Sequence, residues 1–294
     1  FQGALGLITR TLLNPGDAVW VEDPGYIHAR RALVTAGAKL IPVPVDERGM
    51  DVSAGIARAP LARLAMITPS HQFPLGVALE LSRRLALLDW ASQADSWIIE
   101  DDYDGEFRYQ SKPLPALKSL DERDRVLYAG TFSKVLFPGL RLGYLVLPDS
   151  LIEDFERILY NFHRDGSTFV GSVVADFMTQ GHFARHIKRM RQLYAERRAA
   201  LAAALNDLCA DQLRVDLQAG GLHLVAYFAR GAASDTELIN KAHAQGLGLN
   251  ALSTCSLEHD SGQGLVLGFT NIPTASAPQP VKRLARVLAS QRVP

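Results

Sequence analysis

Cysteine is nearly absent: Cys209 and Cys255 are the only two in 294 residues. Two such thiols form neither a disulfide framework nor a metal-type cluster, so the sequence calls for no metal and fits a reducing, cytoplasmic setting. Long apolar runs are also missing. None approaches the roughly 20 residues that span a bilayer, and no signal-peptide pattern opens the chain. Nor is there an excess of charge, since Lys plus Arg equals Asp plus Glu at 31 each. That balance leaves no electrostatic footprint for nucleic acid, so any DNA contact is expected to come from outside these residues. Against these absences stand 48% hydrophobic and 21% charged residues, enough to bury a sizeable core and to argue against extensive disorder.

The first residue is Phe1, and Gly3 to Leu13 already reads as a helix, which gives the expectation of a chain trimmed from something longer. Short β-branched and aromatic runs then alternate with longer helical patterns. Strands are predicted at Ala18–Val21, Leu40–Val43, Leu64–Thr68, Trp97–Glu100, Val126–Ala129 and Leu142–Leu147, with helices at Ile27–Ala36 and Val77–Gln93. The alternation predicts an α/β domain with a mainly parallel sheet wrapped by helices. Ligands of such sheets sit beyond the carboxyl ends of the strands.

From Gly181 the pattern changes. Phe183, Ile187, Met190, Tyr194, Leu201, Leu205 and Leu208 recur at helical steps, and Lys188, Arg189, Arg191, Arg197 and Arg198 lie between them. This predicts one long amphipathic helix whose basic face is solvated. Strands at Leu222–Phe228 and Gly264–Phe269, around a helix at Asp235–Gln245, then predict a smaller α+β domain. The expected division is a large domain over residues 1–180, with the connecting helix and small domain over residues 181–294.

Three segments carry the chemistry. Trp97-Ile98-Ile99-Glu100-Asp101-Asp102-Tyr103-Asp104-Gly105-Glu106-Phe107 runs from a buried strand into an acidic loop. Gly130-Thr131-Phe132-Ser133-Lys134 also follows a strand, and Pro138-Gly139-Leu140-Arg141-Leu142-Gly143-Tyr144 comes soon after. Singly, each passes as turn chemistry, an exposed lysine or a strand lead-in. Together with Thr68-Pro69-Ser70-His71-Gln72-Phe73-Pro74 and Gly181-His182-Phe183-Ala184-Arg185-His186-Ile187, they resemble the aminotransferase-like domain of MocR-type transcriptional regulators of the GntR superfamily. In that family a winged helix-turn-helix precedes a domain similar to fold-type-I aminotransferases.

The resemblance implies pyridoxal 5'-phosphate as cofactor, with Lys134 forming the Schiff base, the step for which an amine is the fitting nucleophile. It implies that Asp101 pairs with the pyridine nitrogen and that Tyr103 donates to the ring's phenolic oxygen. On an extended strand end these two side chains point the same way, which leaves Asp102 facing elsewhere. Arg141, seven residues after the lysine, matches the phosphate-binding arginine, whose guanidinium can grip phosphate oxygens in bidentate fashion. Thr131 and Ser133 offer hydroxyls to the same group. Gln2 falls at the helix N-terminus that cradles it, Tyr26 matches the aromatic that stacks on the ring, and His71 lies near the cofactor in the family pattern.

The same resemblance exposes departures. Aminotransferases usually carry Asn-Pro-Thr-Gly where this chain reads Phe73-Pro74-Leu75-Gly76, and no arginine occurs between Arg230 and Arg283 to hold a substrate carboxylate. Asn271 stands where some regulators have an effector-binding arginine, and His28 where a second can occur. A neutral amide lacks the charge-assisted, bidentate grip a carboxylate favours. The reading that follows is an effector-sensing domain that binds an amine, an amino acid or the cofactor itself. It would act as a homodimer, bind no membrane, and relay ligand state to a winged helix-turn-helix ahead of Phe1. The alternative is a pyridoxal-phosphate-dependent aminotransferase acting on an amino acid or amine.

Overall fold

The computed structural model describes residues 1–110, 114–162, 168–229 and 234–290. Its helices are α1 (Gln2–Leu12), α2 (Ile27–Thr35), α3 (Val52–Arg58), α4 (Leu81–Gln93), α5 (Phe132–Val135), α6 (Ile152–Phe162), α7 (Thr168–Thr179), α8 (His182–Cys209), α9 (Asp235–Ala244) and α10 (Pro278–Ala289). Its strands are β1 (Ala18–Asp23), β2 (Lys39–Asp46), β3 (Gly49–Met50), β4 (Leu64–Ile67), β5 (Trp97–Asp102), β6 (Val126–Thr131), β7 (Gly143–Val146), β8 (Leu213–Asp216), β9 (His223–Phe228), β10 (Asn250–Ala251) and β11 (Gly264–Gly268).

Seven strands form one sheet in the order β3-β2-β1-β4-β5-β6-β7. The five central strands run parallel, while β3 and β7 join the edges antiparallel. Both faces are covered, and the strands read accordingly as near-continuous apolar runs. Trp20, Ala65, Ile67, Ile98 and Val126 pack on one face with Leu87 and Trp90 of α4. Their neighbours Val19, Val21, Leu64, Met66, Ile99 and Leu127 pack on the other with Leu5 and Ile8 of α1 and Leu33 of α2. The period-2 alternation of side chains divides one run between two cores.

A second, antiparallel sheet has the order β10-β11-β9-β8. Its inner face packs Leu224, Ala226, Leu265 and Leu267 against Leu201 and Leu205 of α8, Leu238 of α9 and Leu284 of α10. Together the two sheets give the expected mainly parallel α/β architecture with a smaller antiparallel part.

Two expectations need correction. The helix predicted from Val77 begins at Leu81, because residues 72–79 are tied across a loop by Gln72 N–H to Val77 O and Leu79 N–H to Pro69 O. The basic residues of α8 do not form one solvated face. Arg198 is buried, and Arg191, Arg197 and Arg198 donate to the carbonyls of Glu106, Thr270 and Gln218. These long side chains run their stems along the protein and bring their charge to loop carbonyls.

Candidate functional site

The chain runs outward from β1 to β2 and β3 and then crosses back to β4 on the other side of β1. Such a reversal opens a crevice at the carboxyl ends of the strands. Asp23, Thr68, Asp101 and Thr131 therefore converge on one edge of the sheet, each at or just beyond the end of β1, β4, β5 or β6.

Asp101 is buried, and its Oδ1 has no hydrogen-bond partner among the described residues. Burial pushes its carboxyl well above the usual range, and the charges of Asp102, Glu22 and Asp104 push it further the same way. Asp102 turns away, accepting from Tyr128 Oη at 2.8 Å and from the Gly105 amide at 3.0 Å. The alternation along β5 thus separates a structural carboxylate from one aimed into the crevice.

Tyr103 lies half-buried, its oxygen 2.9 Å from His71 Nδ1. Tyr26 meets Phe73 edge-on at 5.6 Å, and burial and then the charge of Asp101 raise the pKa of its hydroxyl. His28 is exposed at the rim, edge-on to Tyr26 at 5.5 Å.

β6 ends at Thr131, whose Oγ1 caps α5 by accepting from the Ser133 amide at 3.2 Å. A residue in that capping geometry starts the helix that presents Lys134. Lys134 is exposed and makes no hydrogen bond or ion pair among the described residues. Its charge helps hold His223 neutral, with the pKa of that imidazole pushed down to about 4 chiefly by burial and then by His71. Arg141 follows, exposed in the left-handed conformation at φ 51°. A side chain at Gly143 would sit 3.3 Å from the Phe1 backbone nitrogen and 3.0 Å from Gly130 O. The start of α1, the end of β6 and the start of β7 therefore meet in one place, with the first amides of α1 directed there.

Asn271 lies apart. It lines a separate cavity of about 310 Å³ with Gly268, Ser276 and Arg283, between α8, α10 and the segment Gly246 to Leu249 that follows α9. The crevice also contains residues not anticipated from the sequence. Phe73 and His223 meet edge-on at 5.3 Å, and Asp104 and Glu22 are buried beside Tyr103. Glu22 accepts from Thr68 Oγ1 at 2.5 Å, and burial raises its pKa to about 7. Its position just before Asp23-Pro24-Gly25 was the available signal.

The sequence pattern of the aminotransferase class I and II family matches residues 1–246. The chain is 41% identical over 271 residues to the probable rhizopine catabolism regulatory protein MocR of Rhizobium meliloti, covering 92% of this chain and 54% of that protein. It is 31% identical to aromatic-amino-acid aminotransferase 1 of Thermococcus litoralis, covering 99% of this chain and 71% of the enzyme. Among solved structures, the Pyrococcus horikoshii kynurenine aminotransferase in complex with PMP superposes with a TM-score of 0.88 at 30% identity, covering 100% of this chain and 74% of that one. The chain spans a little over half the length of the curated regulators it matches.

Proposed function

This chain belongs to the aminotransferase class I and II family, and we propose that it is the ligand-sensing part of a MocR-type transcriptional regulator. The family's cofactor is pyridoxal 5'-phosphate, and the crevice fits it. The buried, unpartnered Asp101 Oδ1 suits a protonated ring nitrogen. The free amine of Lys134 suits an aldehyde, and Arg141 with the first amides of α1 suits a phosphate. That conjunction is the observation that carries the reading.

When bound, the cofactor supplies a carbonyl carbon that amines attack and a ring that accepts electron density. Lys134 Nζ would hold that carbon. Asp101 would hold a proton on the ring nitrogen, Tyr103 would donate its hydroxyl toward the ring oxygen, and Thr131, Ser133 and Gln2 would join the phosphate grip. Tyr26 and Phe73 would flank the ring, with His71 hydrogen-bonded to Tyr103.

Sensing rather than sustained turnover is favoured by the small sheet. The face of β9 and β11 that meets Phe73 and Leu75 carries Val225 and Val266, and at its crevice end is the neutral His223. Among the described residues no cation there holds a carboxylate in register. Displacement of Lys134 by an amine is a sufficient difference between two states, since a ligand shifts a regulator only by binding one conformation better. The division at residue 181, the DNA-binding module outside these residues and the cytoplasmic setting belong to the same proposal. So does a homodimer, to which exposed Phe169 and Val173 on α7 and Tyr160 and Phe162 on α6 lend support.

The test loads the protein with pyridoxal phosphate, reduces with borohydride and maps the label. It should fall on Lys134 and be lost in Lys134→Ala, and label on another lysine overturns the assignment. In the full gene product, amines should alter binding to its own upstream DNA. Steady keto-acid production without DNA binding would hand the case to an aminotransferase.

A further inference from the structure

Behind Tyr103 lies a second layer of chemistry. His71 Nδ1 is 2.9 Å from the Tyr103 oxygen and 3.1 Å from Asp104 Oδ2. His71 and Asp104 are 6% and 2% exposed, so solvent does not dilute the pairing. Asp104 Oδ2 has no hydrogen-bond partner among the described residues, so the His71 contact is a close approach of charge to ring nitrogen rather than a formed hydrogen bond. Room for the ring is made by two glycines in the left-handed region. At Gly221 (φ 88°) a Cβ would lie 2.0 Å from His71 Cε1, and at Gly76 (φ 74°) it would lie 2.9 Å from Nε2.

The other groups facing this cluster are known. His223 of β9 sits 5.4 Å from the His71 ring, and its Nε2–H donates to Pro74 O at 2.8 Å. Lys134 of α5 acts on His223, while Asp101 and Glu22 act on Tyr103.

We propose that Asp104 and His71 are positioning residues that hold the Tyr103 hydroxyl as a hydrogen-bond donor into the crevice. If Nδ1 were unprotonated, its lone pair would face the Asp104 carboxylate at 3.1 Å, a repulsive contact in a buried site. Asp104 therefore fixes the proton on Nδ1, as a carboxylate orients an imidazole wherever the two are paired. The Tyr103 oxygen accepts from that Nδ1–H, with the Asp104 carboxylate 3.1 Å from the same nitrogen, and its own proton is then directed away from His71 toward the cofactor side. The chain Asp104–His71–Tyr103 thereby sets the direction of one hydroxyl without touching the reacting atoms.

The inference rests on the proposed cofactor for only one of its two tests. The first needs no cofactor. Nitrogen-15 NMR of the histidine rings in the unloaded chain should show His71 protonated at Nδ1, and Asp104→Asn should move that proton toward Nε2. A wild-type His71 protonated only at Nε2 overturns the proposal whether or not any variant folds.

The second test reads the pH midpoint of the visible band in the loaded protein. Tyr103→Phe should shift it by about one unit or more, a tenfold change in proton affinity. Asp104→Asn and His71→Gln should shift it the same way by at least half as much. Neither should add to Tyr103→Phe in a double variant. Shifts that are absent, or that add in full to that of Tyr103→Phe, overturn it. A chain that never takes up the label at Lys134 defeats the functional reading while leaving the NMR result to decide this one.

Discussion

The Asp23 carboxylate, fully buried at the end of β1, accepts a hydrogen bond from the amide of Leu257 at 2.7 Å. The same carboxylate takes the amides of Glu258 and His259 at 2.8 and 2.9 Å, and Arg30 stands 3.7 Å away. Arg30 in turn donates to Gly25 O and Cys255 O. One acidic side chain from the large sheet thus organises the loop between β10 and β11 of the small one, beside Tyr26. Asp23→Ala leaves three amides without their acceptor and a buried guanidinium without its counter-charge, and should destabilise the chain by about 3–5 kcal/mol. Urea unfolding measures this, and a loss below about 1 kcal/mol would show that the loop is held some other way.

Most of the large sheet was legible because its strands are short apolar runs bounded by turn residues, and α8 was legible from its long helical period. Other elements were not. β10 has only two residues, too few for any pattern. α10 opens on Pro278-Gln279-Pro280, which reads as a breaker although proline is well placed in a first turn. α6 and α7 leave Phe162 and Phe169 exposed, so their apolar residues do not trace one buried stripe. At the site, Lys134, Asp101 and Arg141 stand out because they recur at fixed spacing within motifs. His223 comes from a distant strand and Asp104 from an acidic loop with a bland explanation, so only the fold reveals their meeting with His71.

Glu22 gives stability a pH dependence of definite sign. Burial raises its folded pKa to about 7, above its unfolded value, so the folded chain binds the extra proton. Its stabilising contribution is full below the unfolded pKa and is lost as pH rises through about 7. Glu22→Gln, which keeps the shape and stays neutral, should therefore flatten the decline between pH 5.5 and 8 by about 1 kcal/mol or more. Parallel unfolding curves at the two pH values provide the comparison. An equal decline in both proteins would mean that Glu22 ionises without penalty, contrary to its surroundings.

The exposed aromatic and aliphatic residues of α6 and α7 lead to a prediction about assembly. Phe169 is 73% exposed and Phe162 59% exposed, unusual for large apolar side chains unless a partner covers them. Sedimentation should find a dimer. Phe169→Asp combined with Val173→Asp should shift it toward monomer by at least tenfold in dissociation constant, with the melting temperature of the monomer little changed. A wild-type monomer at high concentration contradicts the assembly, and a dimer indifferent to both charges places the interface elsewhere.

Asp101 allows the demands of folding and of cofactor binding to be separated in one substitution. Its carboxyl is buried with an unpartnered oxygen, and burial holds its pKa well above the ordinary range. In the unloaded chain its ionised form is therefore a liability that grows as pH rises through the folded pKa. Asp101→Asn removes that charge at nearly constant shape. At pH 8 and without cofactor it should equal or exceed the wild type in stability, by up to about 2 kcal/mol. With pyridoxal phosphate the order should reverse, because an amide cannot keep a proton on the ring nitrogen as a carboxylate does. The thermal stabilisation on loading should shrink, and the visible band at Lys134 should move relative to the wild type. Melting curves with and without cofactor, on both proteins, give all four values. If Asp101→Asn were less stable when unloaded and fully stabilised when loaded, Asp101 would be an ordinary structural carboxylate, and the ring nitrogen would have to find its partner elsewhere.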